Sequence, residues 1–141
     1  MSQYKKLLVA VDLSEVGRLI GRPLLFVLGR EAFDQAVVDM AKQYLPRHSA
    51  GAYDDPRLNL VIDDGIEFLR RDGESFDVII CDSTDPIGPG EVLFTEDFYA
   101  LARARLNPGG IVATQNGVPF FQPDELTTTA ARMSAAFEDH T

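Results

Sequence analysis

Residues 76–90 read FDVIICDSTDPIGPG, and the way this stretch divides in two decides the fold. Its first part, Phe76 to Cys81, is apolar apart from Asp77 and contains three consecutive β-branched residues. A strand with one wet face alternates in polarity, whereas a strand covered on both faces does not. The run Val78-Ile79-Ile80-Cys81 therefore predicts an inner strand of a parallel sheet. Straight after it come two carboxylates around two hydroxyls, Asp82-Ser83-Thr84-Asp85, then the stiffened loop Pro86-Ile87-Gly88-Pro89-Gly90. Ligands of open α/β sheets sit beyond the carboxyl ends of the strands, so a polar, constrained loop there points to function.

The same alternation extends in both directions. Upstream, Leu58–Ile62 reads as a strand, Asp63-Asp64-Gly65 as its polar end, and Ile66–Arg71 as a short helix. An Asp in that place serves as a helix N-cap, while Gly65 allows a flat ring to approach the backbone; both readings stand. Downstream, Thr95 caps a helix to about Leu106, and Asn107-Pro108-Gly109-Gly110 turns the chain into a strand over 111–115. Thr114-Gln115-Asn116-Gly117 closes that strand and fits either a crevice lining or a hydrogen-bonded turn. A last helix starts near Asp124. Towards the N-terminus, strands are predicted at 7–11 and 24–28, with a short helix from Ser14 to about Gly21 between them. The clearest helix is 34–45, with Val37, Ala41, Tyr44 and Leu45 on one stripe, stopped by Pro46 and followed by a loop over 47–57. The fold class is α/β: one open, doubly wound parallel sheet.

With 141 residues the chain suits a single packed domain. A net charge of −9 would repel nucleic acid, so no nucleic-acid partner is expected. The lone Cys81 permits no internal disulfide and the sequence has no metal-ligand spacing, so neither a metal nor a bound cofactor is predicted. The opening MSQYKKLLVAV is too short an apolar run to span a membrane and lacks a cleavage pattern. A cytoplasmic setting follows as the default.

The runs DDPRLNLVIDDG (54–65), FDVIICDSTDPIGPGEVLFTEDFY (76–99) and LNPGGIVATQNG (106–117) resemble the polyamine aminopropyltransferases, most of all the bacterial spermidine synthases. The resemblance extends upstream through QAVVDMAKQYLPRHSAGAYDDPR and covers about residues 34–132. It implies a Rossmann-like sheet of the S-adenosylmethionine-dependent methyltransferase type, here incomplete. It implies transfer of an aminopropyl group from decarboxylated S-adenosylmethionine, a co-substrate, to putrescine, giving spermidine and methylthioadenosine. By motif position Asp82 matches the catalytic carboxylate, and Asp82, Ser83, Thr84 and Asp85 the diamine-binding segment. Asp64 and Gly65 match the adenine-holding pair, and Pro89 a nucleoside contact. A homo-oligomer is compatible with the resemblance; a membrane partner is not.

Residues 1–33 are a divergent βαβ portion, and 34–141 the aminopropyltransferase-like portion of what is overall one domain. The family's Gly-rich turn after its first strand is replaced by Asp12-Leu13-Ser14-Glu15, with no glycine before Gly17. Ala32 stands where a ribose-binding acid belongs, with Glu31 one residue early. No counterpart of the family's N-terminal β-rich domain is present, and the expectation is a truncated or rearranged chain. Two alternatives accompany the enzyme reading: an inactive remnant that binds nucleoside or polyamine, and a methyltransferase-like enzyme using S-adenosylmethionine.

Overall fold

The computed structural model describes residues 7–10, 24–28, 35–49, 51–71, 73–82, 88–116, 120 and 122–138. Five strands form one sheet: β1 (Leu7–Ala10), β2 (Leu24–Leu28), β3 (Leu58–Ile62), β4 (Phe76–Cys81) and β5 (Leu106–Thr114). Their order is β3-β2-β1-β4-β5, and every pairing is parallel. This is the doubly wound arrangement expected from the apolar strands, with the order reversing beside β1.

The helices are α1 (Gln35–Tyr44), α2 (Pro46–Ser49), α3 (Gly65–Arg70), α4 (Glu96–Ala104) and α5 (Glu125–Ser134). Right-handed crossovers assign their faces. The step β2 to β3 runs one way along the sheet, and β3 to β4 and β4 to β5 run the other way. α1 therefore covers one face, and α3 and α4 the opposite one, where α3 and α4 touch and α5 packs on α4. The core on that side joins Ile66 and Leu69 of α3 and Phe98, Tyr99 and Ala102 of α4 to Phe76, Ile79 and Cys81 of β4.

Three local readings change. Among the described side chains of α1 the buried one is Val38, at 2% exposure, while Tyr44 and the Leu45 that follows the helix are 68% and 51% exposed; the Val37 side chain lies outside the described residues. Several apolar residues on a short helix define more than one stripe, and packing selects among them. Pro46 does end α1, but it also occupies the first position of α2, where its missing N–H leaves nothing unsatisfied. The stretch to 57 then holds a 3-10 turn, Ala52–Asp54, and Asp55 accepts bonds from Arg57 that lower its pKa to about 2.

The third change concerns β5, which starts at Leu106 rather than after the Asn-Pro-Gly-Gly segment. Phe76 pairs with Leu106 and Val78 with Ile111, so the segment is a bulge inside the strand. Gly109 has φ +76°, and a Cβ on Gly110 would lie 3.0 Å from the Asn107 carbonyl oxygen. Both positions need glycine, one for its backbone angle and one for the close approach.

Candidate active site

Register sets the level of each strand end. Val61 pairs with Val27, Val27 with Ala10, Ala10 with Cys81 and Cys81 with Thr114, forming one row across all five strands. Asp82 and Gln115 come one residue beyond that row. Asp63 and Asp64 come two and three residues beyond it on β3. The carboxyl edge of the sheet thus carries Asp64, Asp82 and Gln115 together, as anticipated from the strand ends. With about 4.8 Å between neighbouring strands, β3 and β4 stand roughly 14 Å apart, and the order reversal opens between β1 and β4.

At the end of β3 the two carboxylates have separate partners. Asp63 Oδ1 accepts from the Asp64 N–H at 2.9 Å, and its Oδ2 accepts from the Arg71 guanidinium. Asp64 is the N-cap of α3: its Oδ1 accepts from Ile66 N at 2.9 Å and Glu67 N at 3.1 Å. Neither of those bonds uses Oδ2. The capping reading and the ligand reading of Asp64 are therefore compatible, one oxygen for each. Gly65 follows, and the nearest side-chain or backbone atom to a Cβ built there is Leu93 Cδ2 at 4.0 Å. Among the described residues, neither close packing nor a left-handed backbone angle calls for glycine at this position.

The end of β4 is different. Cys81 is 1% exposed, and burial pushes its thiol up to about 12. The Thr114 hydroxyl acts in the opposite direction, and the Asp82 carboxylate adds to the rise. Cys81 is accordingly a neutral thiol at ordinary pH and no nucleophile. Asp82 is half-buried beyond it, and the backbone is tied across to β5 by Gln115 N–H donating to the Cys81 carbonyl at 2.9 Å. Beneath, the Tyr99 ring is fully buried edge-on to Phe98, its phenol pKa raised by burial.

Ser83, Thr84 and Asp85 lie outside the described residues. Pro89 belongs to the 3-10 segment Gly88–Phe94, whose backbone leads into the Thr95 cap of α4. At the end of β5, Thr114 Oγ1 reaches the Gln115 carbonyl at 3.3 Å, and Asn116 Oδ1 is buried without a partner. A cavity of about 320 Å³ lies elsewhere, between β3 and the carboxyl end of α3, against Val61, Phe68, Arg71 and Arg105. It is at the far end of α3 from Asp64 and does not belong to the carboxyl-edge crevice.

Sequence reasoning missed Arg105. It is 8% exposed, donates to four backbone carbonyls and packs over the rings of Phe68 and Phe76. No pattern in ARARLNPGG separates it from the exposed Arg103 two residues earlier.

Among the described residues no helix is long and apolar enough to cross a membrane. Comparison with known proteins gives consistent results. The spermine/spermidine synthase domain matches residues 32–141. Polyamine aminopropyltransferase 1 of Pseudomonas aeruginosa is 64% identical over 106 residues, which are 75% of this chain and 37% of that protein. A crystal structure of spermidine synthase in complex with the transition-state analogue AdoDATO superposes with TM-score 0.83 at 32% identity, covering 96% of this chain and 47% of that one. A structure described as that of an O-methyltransferase from Klebsiella pneumoniae reaches TM-score 0.56 at 19% identity, covering 96% and 60%, and shares the fold. The chain spans a little over a third of the length of the curated relatives it matches.

Proposed function

This chain belongs to the spermine/spermidine synthase domain family, and from that premise we propose that it serves an aminopropyl transfer from decarboxylated S-adenosylmethionine to putrescine. The observation that carries the proposal is the row of strand ends, which supports one crevice running from Asp64 and Gly65 to Asp82. A separation of three strand spacings suits an extended nucleoside with its adenine over Gly65 and its sulfonium arm towards β4. Asp64 Oδ2 accepts from the adenine amino group, Gly65 offers a bare backbone surface to the ring, and Pro89 flanks the nucleoside.

The chemistry at the other end follows from the amine. A primary amine with a pKa of roughly 10 is protonated near neutrality and cannot attack. Asp82 binds that ammonium and accepts or relays its proton, and Ser83, Thr84 and Asp85 hold the diamine in line. The freed nitrogen lone pair then forms the C–N bond to the carbon next to the sulfonium. The C–S bond breaks with its electron pair moving to sulfur, giving neutral methylthioadenosine. The leaving group needs no protonation, so one carboxylate suffices. The acceptor, donor and homo-oligomeric assembly are part of this proposal.

A second reading, a domain that binds nucleoside or polyamine without turnover, is favoured by Asp12-Leu13-Ser14-Glu15 in place of a glycine-rich turn. One experiment separates the two. The chain is incubated with decarboxylated S-adenosylmethionine and putrescine while spermidine is quantified, and methylthioadenosine and putrescine binding are each measured by calorimetry in parallel. Spermidine formation supports the transferase, binding without product supports the second reading, and neither signal removes both.

A further inference from the structure

α3 has only six residues, and a helix so short does not hold its own shape in water. Its two ends are held by different parts of the chain. The amino end is capped by Asp64. The carboxyl end is held by Arg105, which follows α4 and sits in the interior. Arg105 Nη1 donates to the carbonyls of Phe68 at 3.0 Å, Leu69 at 3.2 Å and Arg71 at 2.8 Å, and Nε donates to that of Glu74 at 2.8 Å. Three of these are end carbonyls of α3 or the residue after it, the groups a helix leaves without internal partners. The positive charge lies at the negative pole of the helix, with its faces against Phe68 and Phe76 at 5.3 and 5.5 Å. A buried guanidinium with this many fixed acceptors has one position, and so therefore does the helix it holds.

We propose that Arg105 is a positioning residue for the nucleoside end of the crevice: by fixing the carboxyl end of α3 it sets where Asp64 and Gly65 stand at the other end. The link is the helix itself. With one and a half turns, a tilt at Arg70 displaces Gly65 almost equally, opposed by the packing of Ile66 and Leu69 and by the Asp63–Arg71 ion pair. This inference rests on the nucleoside assignment of Asp64 and Gly65.

The test uses Arg105→Lys, which keeps the charge but loses the planar fork that reaches several carbonyls at once. Phe68→Leu, which removes one ring and leaves the hydrogen bonds in place, is the milder variant should the lysine protein fail to fold. Asn107→Ala, which removes the Asn107 Nδ2 donation to Asp77 Oδ1 between β5 and β4 and leaves the Arg105 hydrogen bonds in place, is the stability control. Amide exchange is read at Ile66 and Glu67 and in β4, and methylthioadenosine affinity is measured by calorimetry. Arg105→Lys is expected to speed exchange at Ile66 and Glu67 by about tenfold while β4 keeps its protection. It is also expected to weaken nucleoside binding by about tenfold, the scale of one misplaced charged hydrogen bond. Asn107→Ala leaves both unchanged at whatever melting temperature it gives. Unchanged exchange at Ile66 and Glu67, equal acceleration throughout the sheet, or unchanged affinity in Arg105→Lys overturns the inference. A wild-type chain that binds no methylthioadenosine overturns the functional reading instead, and the exchange result still decides whether Arg105 governs the amino end of α3.

Discussion

The carboxyl ends of β3 and β4 begin alike, with an apolar strand running into aspartate, and use that aspartate differently. After β3 the helix starts at once, so Asp64 lies beside unpaired helix N–H groups and caps them. After β4 the described residues resume at the 3-10 segment from Gly88, and Asp82 follows a buried neutral thiol. A capping aspartate has a defined structural occupation, so its substitution is judged on stability as well as on binding.

Substitutions at the two ends test this contrast. The largest effect is expected for Asp82→Asn in the proposed transfer. Asn keeps the size but neither attracts an ammonium nor takes its proton, so turnover should fall by about 10²–10⁴ with the melting temperature unchanged. A lowered melting temperature with turnover spared would make Asp82 the equal of the β3 carboxylates and erase the distinction.

Asp64 and Gly65 come next. Asp64→Asn should weaken methylthioadenosine by one to two decades, the value of a charged hydrogen bond of about 1.5–3 kcal/mol, and cost little stability because Asn is also a good cap. Gly65→Ala sharpens the point. With no close neighbour among the described residues, alanine should stabilise α3 by about 0.4–1 kcal/mol through the unfolded chain and still obstruct the ring. A more stable protein that binds nucleoside less well is the expected outcome, read by thermal melting and calorimetry; undiminished binding refutes the ring contact.

The last effect concerns Cys81 and is seen only at alkaline pH. Its folded pKa of about 12 exceeds the ordinary thiol value of 9.0, so the unfolded chain loses its proton first. The contribution is complete below pH 9 and is lost as pH rises towards 12, at a limiting slope of about 1.4 kcal/mol per pH unit. Denaturant melts from pH 8 to 10.5 should show wild type declining more steeply than Cys81→Val. Parallel curves would mean that the thiol is not held neutral by burial.

How much of this could be read beforehand depends on how local the cause is. The apolar run of β4, its polar continuation and the Asp64 cap arise from neighbours in the chain, and all were legible. The strand order depends on which face of the sheet each crossover helix takes, which individual residues do not state. Val38 rather than Tyr44 faces inward on α1 because of what packs there. Arg105 is the extreme case: its acceptors are more than thirty residues away in sequence, so nothing beside it in the chain marks it.

The bulge in β5 has a consequence of parity. Two residues of β4 are matched by five of β5, so three extra residues enter ahead of Ile111. Side chains alternate with a period of two, and an odd insertion inverts every assignment downstream of it. The Asn107–Gly110 segment therefore acts as a phase switch, deciding which of Thr114 and Gln115 turns towards Tyr99 and which turns away. Surface loops elsewhere can gain or lose a residue cheaply. Here a single deletion would leave the strand present and correctly paired in direction while exchanging its inside for its outside.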